Sequence, residues 1–137
     1  GPVITQPSQT SLPIGDVSFI VYRRELGAVP DRVPIRIVAQ IASALSFKDG
    51  KAMKTKVESS WAIRGRVTEF RAAPIPGQPQ MLLLKGSDDA PLSPGRYAAV
   101  IGVQAFDFTI EGTPTDPAQC LERSEIVNGT IYVPCGK

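Results

Sequence analysis

The sequence predicts an all-β domain, mainly antiparallel, with the outline of an immunoglobulin-like β-sandwich and one short helix near the C-terminus. Three observations carry this expectation. Thirteen prolines and twelve glycines are scattered through 137 residues, punctuation that suits many short strands better than a few long helices. Several stretches alternate apolar and polar residues and are rich in β-branched side chains. Turn pairs such as Asp49-Gly50, Gly102-Val103 and Asn128-Gly129 separate those stretches.

A chain of this length is expected to form a single domain with a buried core. Gly1-Pro2 reads as a tag remnant, and the polar, turn-rich VITQPSQTSLPIG after it as a flexible linker. Residues 1–15 are thus assigned to a tag remnant and flexible linker and 16–137 to one β-sandwich domain. Such a linker suits a domain cut from a longer protein or the mature start of an exported one.

The first strand is expected over Asp16–Arg24, DVSFIVYRR, and ELGAVPD breaks it. Residues 33–47, VPIRIVAQIASALSF, fit two periods. Every second position gives a nearly clean strand face, while Ile37, Ile41 and Leu45 fit a helix. The β-rich surroundings and the following Asp49-Gly50 turn decide for a long, bent strand. The return strand is expected over 54–70, with Trp61, Ile63 and Val67 on one face and Arg64 and Arg66 on the other. Gly65 between them marks a bulge or a close backbone approach. AAPIPGQP is expected as a connection, MLLL at 81–84 as a fully buried strand, and KGSDDAPLSPG as a polar loop.

The stretch GRYAAVIGVQAFDFTIEG resolves into a hairpin whose register can be derived pair by pair. Glycine at the first central position is the type II′ signature, so Gly102-Val103 turns the chain. Ile101 then faces Gln104, Val100 faces Ala105, Ala99 faces Phe106, Ala98 faces Asp107 and Tyr97 faces Phe108. Opposed residues share a face. Tyr97, Phe108, Ala99, Phe106 and Ile101 form a core face, and Ala98, Val100, Ala105 and Asp107 form a small, weakly polar one. Arg96 lies diagonally from Asp107, within reach of a surface ion pair.

Downstream, Asp116-Pro117 with Gln119 is a capping-box start, so a short helix carrying Cys120 is expected there. Cys120 and Cys135 are either two thiols or one disulfide. The Asn128-Gly129 turn between them folds the segment back, and a crosslink near the chain end prevents fraying, so the bridge is preferred. Closing such a loop stabilises by about 3 kcal/mol on the chain-entropy model. A bridge of this kind persists outside the reducing cytosol, which makes a periplasmic or secreted location the expectation. With no CxxC present, a catalytic dithiol is disfavoured. Asn128-Gly129-Thr130 also fits a glycosylation sequon, but its role as a turn accounts for it.

The chain contains no histidine, which excludes Ser-His-Asp and Cys-His nucleophilic sites and the usual zinc sites. A glycine-rich phosphate loop and a nucleophile elbow are likewise missing. A formal net charge of +2 does not by itself imply nucleic acid, and no apolar run has the length of a membrane span. Two patches are left as candidates. Lys48, Lys51, Lys54 and Lys56, extended by Arg64 and Arg66, offer a basic surface for an anion or partner. The small-residue face of Ala98, Val100, Ala105 and Asp107 offers a surface for another polypeptide. Asp88-Asp89 is a weak calcium signal, because adjacent acids place their side chains apart.

The expected function is a non-catalytic, extracytoplasmic interaction or assembly domain of an exported or envelope protein, with no cofactor and no metal. Its expected partner is another protein or another domain of the same chain. A binding module for an acidic polymer or membrane surface is the first alternative. A hydrolase or lyase working through carboxylates such as Glu58, Glu69 or Asp107 is the second.

Overall fold

The computed structural model describes residues 3–23, 28–87 and 89–136, and among these the side chain of Arg66 is left out. Arg24, at the end of the expected first strand, and Asp88 of the weak calcium signal lie outside the described residues. The protein is all-β, as its sequence predicts: strands make up 63% of it and helical turns 3%. The sandwich outline takes the form of one mixed sheet curled into a half-barrel.

The organising strand is β4 (Arg32–Lys48), 17 residues long, with Val33, Ile35, Ile37, Ala39 and Ile41 buried at every second position. The strand reading of 33–47 therefore holds over the helical one. The N-terminal half of β4 lies between β6 (Trp61–Ile75) and β8 (Gly95–Ile101), antiparallel to both. Its C-terminal half pairs antiparallel with β5 (Lys51–Lys56) and parallel with β10 (Cys120–Ile126). Beyond β6 come β7 (Gln78–Lys85) and then β3 (Ser18–Tyr22); beyond β8 comes β9 (Gln104–Ile110). The last strand, β11 (Gly129–Pro134), pairs with β10.

Tight turns connect the antiparallel neighbours where the sequence signals them. Asp49 and Gly50 both take positive φ, 53° and 77°, the type I′ requirement, and close β4 onto β5 at Lys48 and Lys51. Gly102 takes φ 60° while Val103 does not turn positive, as a type II′ loop demands, and the β8–β9 register is the derived one at every pair. The hairpin near the C-terminus differs by one residue. Ile126 pairs with Gly129, so Val127-Asn128 forms the loop and Gly129 opens β11 with φ 137°.

Other departures have local causes. Residues 72–75 and 78–79, expected as a connection, prolong β6 and β7, because Pro76-Gly77 alone makes the turn between Ile75 and Gln78. In MLLL only Leu82 and Leu84 are buried; Met81 and Leu83 lie on the other side of an ordinary alternating strand. Along β6 the core positions are Ala62 and Phe70, while Trp61 and Ile63 are half-buried and Val67 is exposed. The expected bulge at Gly65 is present as two register shifts between Ile35 and Val38 of β4. There Arg36 Nε donates to the Arg64 carbonyl at 2.6 Å. Residues 3–12, expected as linker, dock on the sheet: β1 (Val3–Ile4) pairs with β6 and β2 (Ser11–Leu12) with β9.

The inner faces of β4, β6, β7, β8, β9 and β10 share one core in which Tyr97 and Phe108 stack at 5.9 Å between centroids. The buried Tyr97 hydroxyl donates to the Ser93 carbonyl at 2.7 Å. Asp116 caps a single 3-10 turn, Pro117–Gln119, by accepting from the Ala118 amide at 2.9 Å. That turn is shorter than the expected helix, and Cys120 follows it as the first residue of β10. Gln119 does not return to the cap. Its buried carboxamide accepts from the Arg96 amide and donates to the Arg96 carbonyl, both at 3.2 Å, in the manner of a backbone strand partner. The Cys120–Cys135 disulfide then ties β11 back, with Cα atoms 5.4 Å apart, beside a 3.0 Å bond from the Cys135 amide to the Cys120 carbonyl.

Gly95 is the position this closure depends on. A Cβ there would overlap the Gln119 carboxamide, and φ is 143°. Gly95→Ala is therefore expected to destabilise by about 2 kcal/mol or more through strain and loss of the Gln119 bonds. Gly65→Ala, which meets open space, is expected to stay within about 0.5 kcal/mol. Urea midpoints of the two variants check the contrast.

Candidate functional site

The structure divides the basic group. Lys48 and Lys51 face each other at the tip of the β4–β5 hairpin, and β5 is exposed along its whole length. Lys54 and Lys56 alternate with Lys51 along β5 only at odd offsets, so they project from the opposite face. Lys54 reaches across β4 to Glu122 of β10 at 3.0 Å, and the buried Ser43 hydroxyl donates to the same carboxylate oxygen at 3.1 Å. Lys56 lies 3.8 Å from Glu58, both fully solvated. Arg64 sits over the Tyr132 ring of β11 at 5.5 Å, and the Arg66 side chain is outside the described residues. The lysines expected as one patch are thus split between two faces, and two of them carry acidic partners.

The second face of the β8–β9 hairpin is also less open than its composition suggests. Ala98 is fully buried, Val100 and Asp107 are half-buried, and only Ala105 is exposed. The anticipated surface ion pair between Arg96 and Asp107 is largely buried, the Arg96 side chain being 6% exposed and that of Asp107 28%. Two contacts explain why. The guanidinium lies over the Trp61 ring at 4.7 Å, and Nη1 donates to the Gln6 carbonyl at 2.9 Å while Nη2 bonds Asp107 Oδ2. One cation therefore joins β8, β9, β6 and the N-terminal segment. Ala98 is unavailable to a partner because this layer has already formed over its face.

A feature the sequence reading missed lies beside this layer. The sheet curls until β3, at one end of the strand order, meets β9, which carries only the short β2 at the other, at Phe19 and Phe108, whose rings are 4.9 Å apart. Beyond that contact the edges leave a cleft of about 670 Å³ between β3, β9 and residues 4–10. Phe19, Ile20, Tyr22, Ile101 and Phe106 supply its apolar wall, and Gln6, Gln9 and Gln104 its polar one. Arg96 and Asp107 are the only charged groups among the residues lining it, and they neutralise each other. Ile20, Tyr22 and Phe106 remain 58%, 46% and 44% exposed. Phe106, expected in the core, instead stands at the rim, because β9 is an edge at this point. One signal for the cleft was present: SFIVY is apolar on both faces, yet it forms an edge strand.

The three acids weighed for catalysis sit on separate elements. Glu58 is solvated beside Lys56, Glu69 on β6 lies 4.0 Å from Arg32, and Asp107 belongs to Arg96. Among the described residues, no group of three or more His, Cys, Asp or Glu converges in the manner of a metal site. Among the described residues, no helix is long and apolar enough to cross a membrane.

The chain matches no protein-family model, no curated protein and no solved structure.

Two outcomes follow from these ion pairs. Arg96→Met removes the cation while leaving a half-buried carboxylate, which is expected to cost roughly 3 kcal/mol and to free the N-terminal segment. Denaturant midpoints and limited proteolysis near Gln6 measure the two effects. The Glu122 carboxyl is held below its ordinary value of 4.5, chiefly by the Lys54 hydrogen bond and then by the Ser43 hydroxyl. A lowered folded-state pKa gives a contribution that is complete above 4.5 and disappears as pH falls through the lowered value. Acid titration of stability is therefore expected to be shallower for Glu122→Gln than for the parent chain below pH 4.5.

Proposed function

We propose that this domain is a non-catalytic interaction module that works outside the cytoplasm and engages another polypeptide through the cleft between β3 and β9. The observation that carries this reading is a half-closed sheet whose free ends present Ile20, Tyr22 and Phe106 to solvent around a neutralised, mostly uncharged cleft. Exposed apolar groups gathered at one place with a polar rim mark a protein-binding surface more often than a solvated face. The dispersal of Glu58, Glu69 and Asp107 supports binding rather than acid–base chemistry. The disulfide supports an oxidising compartment, since such bonds are rare in the cytosol.

The acidic-polymer reading has less behind it. Its lysines point from two faces, and Lys54 and Lys56 have carboxylates beside them.

Photo-crosslinking in the native host tests the module directly. A crosslinking side chain at Phe106 or Ile20 is expected to give discrete protein adducts, and one at Thr130 on the far hairpin is not. Adducts from Thr130 alone, or from none of the three, would contradict the reading.

A further inference from the structure

We infer that the cleft accepts its partner as an added β-strand, an extended and largely uncharged segment of another protein that pairs with the free edge of β9. The inference rests on the interaction reading above and specifies how the partner is held.

The pairing with β2 fixes which backbone groups of β9 point outward. The Thr109 amide donates to the Thr10 carbonyl and the Glu111 amide to the Leu12 carbonyl, both at 2.8 Å, so odd-numbered amides along this strand point away from β8. The two-residue Gly102-Val103 loop between Ile101 and Gln104 gives the same phase, because the pair flanking such a loop is hydrogen-bonded and the pairs then alternate. Ala105 and Asp107 consequently direct their amides and carbonyls outward, on the line that β2 occupies further along. The pairing with β2 covers only Thr109 and Ile110. Among the described residues, nothing bonds the outward backbone of Ala105 or Asp107.

The chain's own N-terminal segment does not continue along that edge. Before Thr10 it diverges into a local Ser8 contact and then hands the Gln6 carbonyl to Arg96. What is left is a strand edge with two unpaired donor and acceptor positions at the mouth of an apolar cleft. Polypeptides bind such edges by main-chain hydrogen bonding, with alternate side chains entering pockets.

The lining says which strand fits. Alternate residues of an incoming segment would face Ile101 and Phe106 on one side and Ile20 and Tyr22 on the other. With Arg96 and Asp107 already paired, a charged side chain entering the cleft would lose hydration without gaining a counter-charge. Alternating apolar residues are the chemistry this site selects.

A phage-displayed dodecapeptide library panned against the full 137-residue chain supplies the probe. The expected binders share an alternating apolar pattern without enrichment of acidic or basic residues. Binding of a selected peptide is expected to slow exchange of the Ala105 and Asp107 amides at least tenfold in the parent protein. Ala105→Pro deletes an outward amide that the β8–β9 ladder does not use, and edge strands tolerate proline. It is expected to weaken the peptide about tenfold, the size of one hydrogen bond, while Phe106→Ser weakens it through lost side-chain contact.

Peptides sensitive to Phe106→Ser but indifferent to Ala105→Pro, with no protection of these amides, would overturn strand addition and leave the cleft as a partner site. Peptides indifferent to both substitutions would overturn the cleft reading as well. Self-association of the chain that Ala105→Pro abolishes would assign the edge to a second copy and overturn the partner-strand proposal.

Discussion

The constraint on which the rest of the structure depends is the dual pairing of β4. One continuous strand is shared by two sets of neighbours, β6 and β8 along its first half and β5 and β10 along its second. Every second side chain from Val33 to Ile41 is buried beneath this ladder, so a one-residue slip would turn the entire apolar set outward. Register shifts interrupt the pairing of β4 twice, opposite Gly65 in β6 and at Leu121 and Glu122 of β10. Irregular pairing of this kind increases local twist, and the twist curls the sheet. Curling without closure then leaves β3 and the β9 side of the sheet in contact at Phe19 and Phe108. The cleft is thus a consequence of how β4 is paired.

Polar interactions hold this shape from outside the core. Arg96 ties the N-terminal segment over one face through Gln6, Trp61 and Asp107. Gln119 substitutes for a strand partner at the start of β8, next to a glycine that leaves it room. Lys54, Ser43 and Glu122 link β5 to β10 across β4. Each contact joins elements far apart in sequence, and each uses a residue type that composition alone would assign to the surface.

That difference explains what was legible beforehand. Local chemistry was readable: the positive-φ turn at Asp49-Gly50, the glycine-first loop at Gly102 and the alternation in β4 each follow from residues in direct succession. So was the β8–β9 register, because loop length and side-chain period together determine it. The disulfide partners were readable because the chain has only two cysteines. Long-range placement was not. Nothing near Arg96 in sequence announces that Trp61 and Gln6 will cover it, and nothing in SFIVY says that its strand will end the sheet opposite β9. The distribution of the lysines was hidden for a related reason: strand alternation divides residues that a loop would have kept together.

Native-state hydrogen exchange across the whole chain tests the central claim, that β4 couples both groups of strands into one half-barrel. The slowest amides are expected in β4, β6, β8 and β10 together, exchanging with a single opening free energy. If β10 and β11 opened as a separate unit, far below the stability of β4 and β8, the shared spine would be disproved.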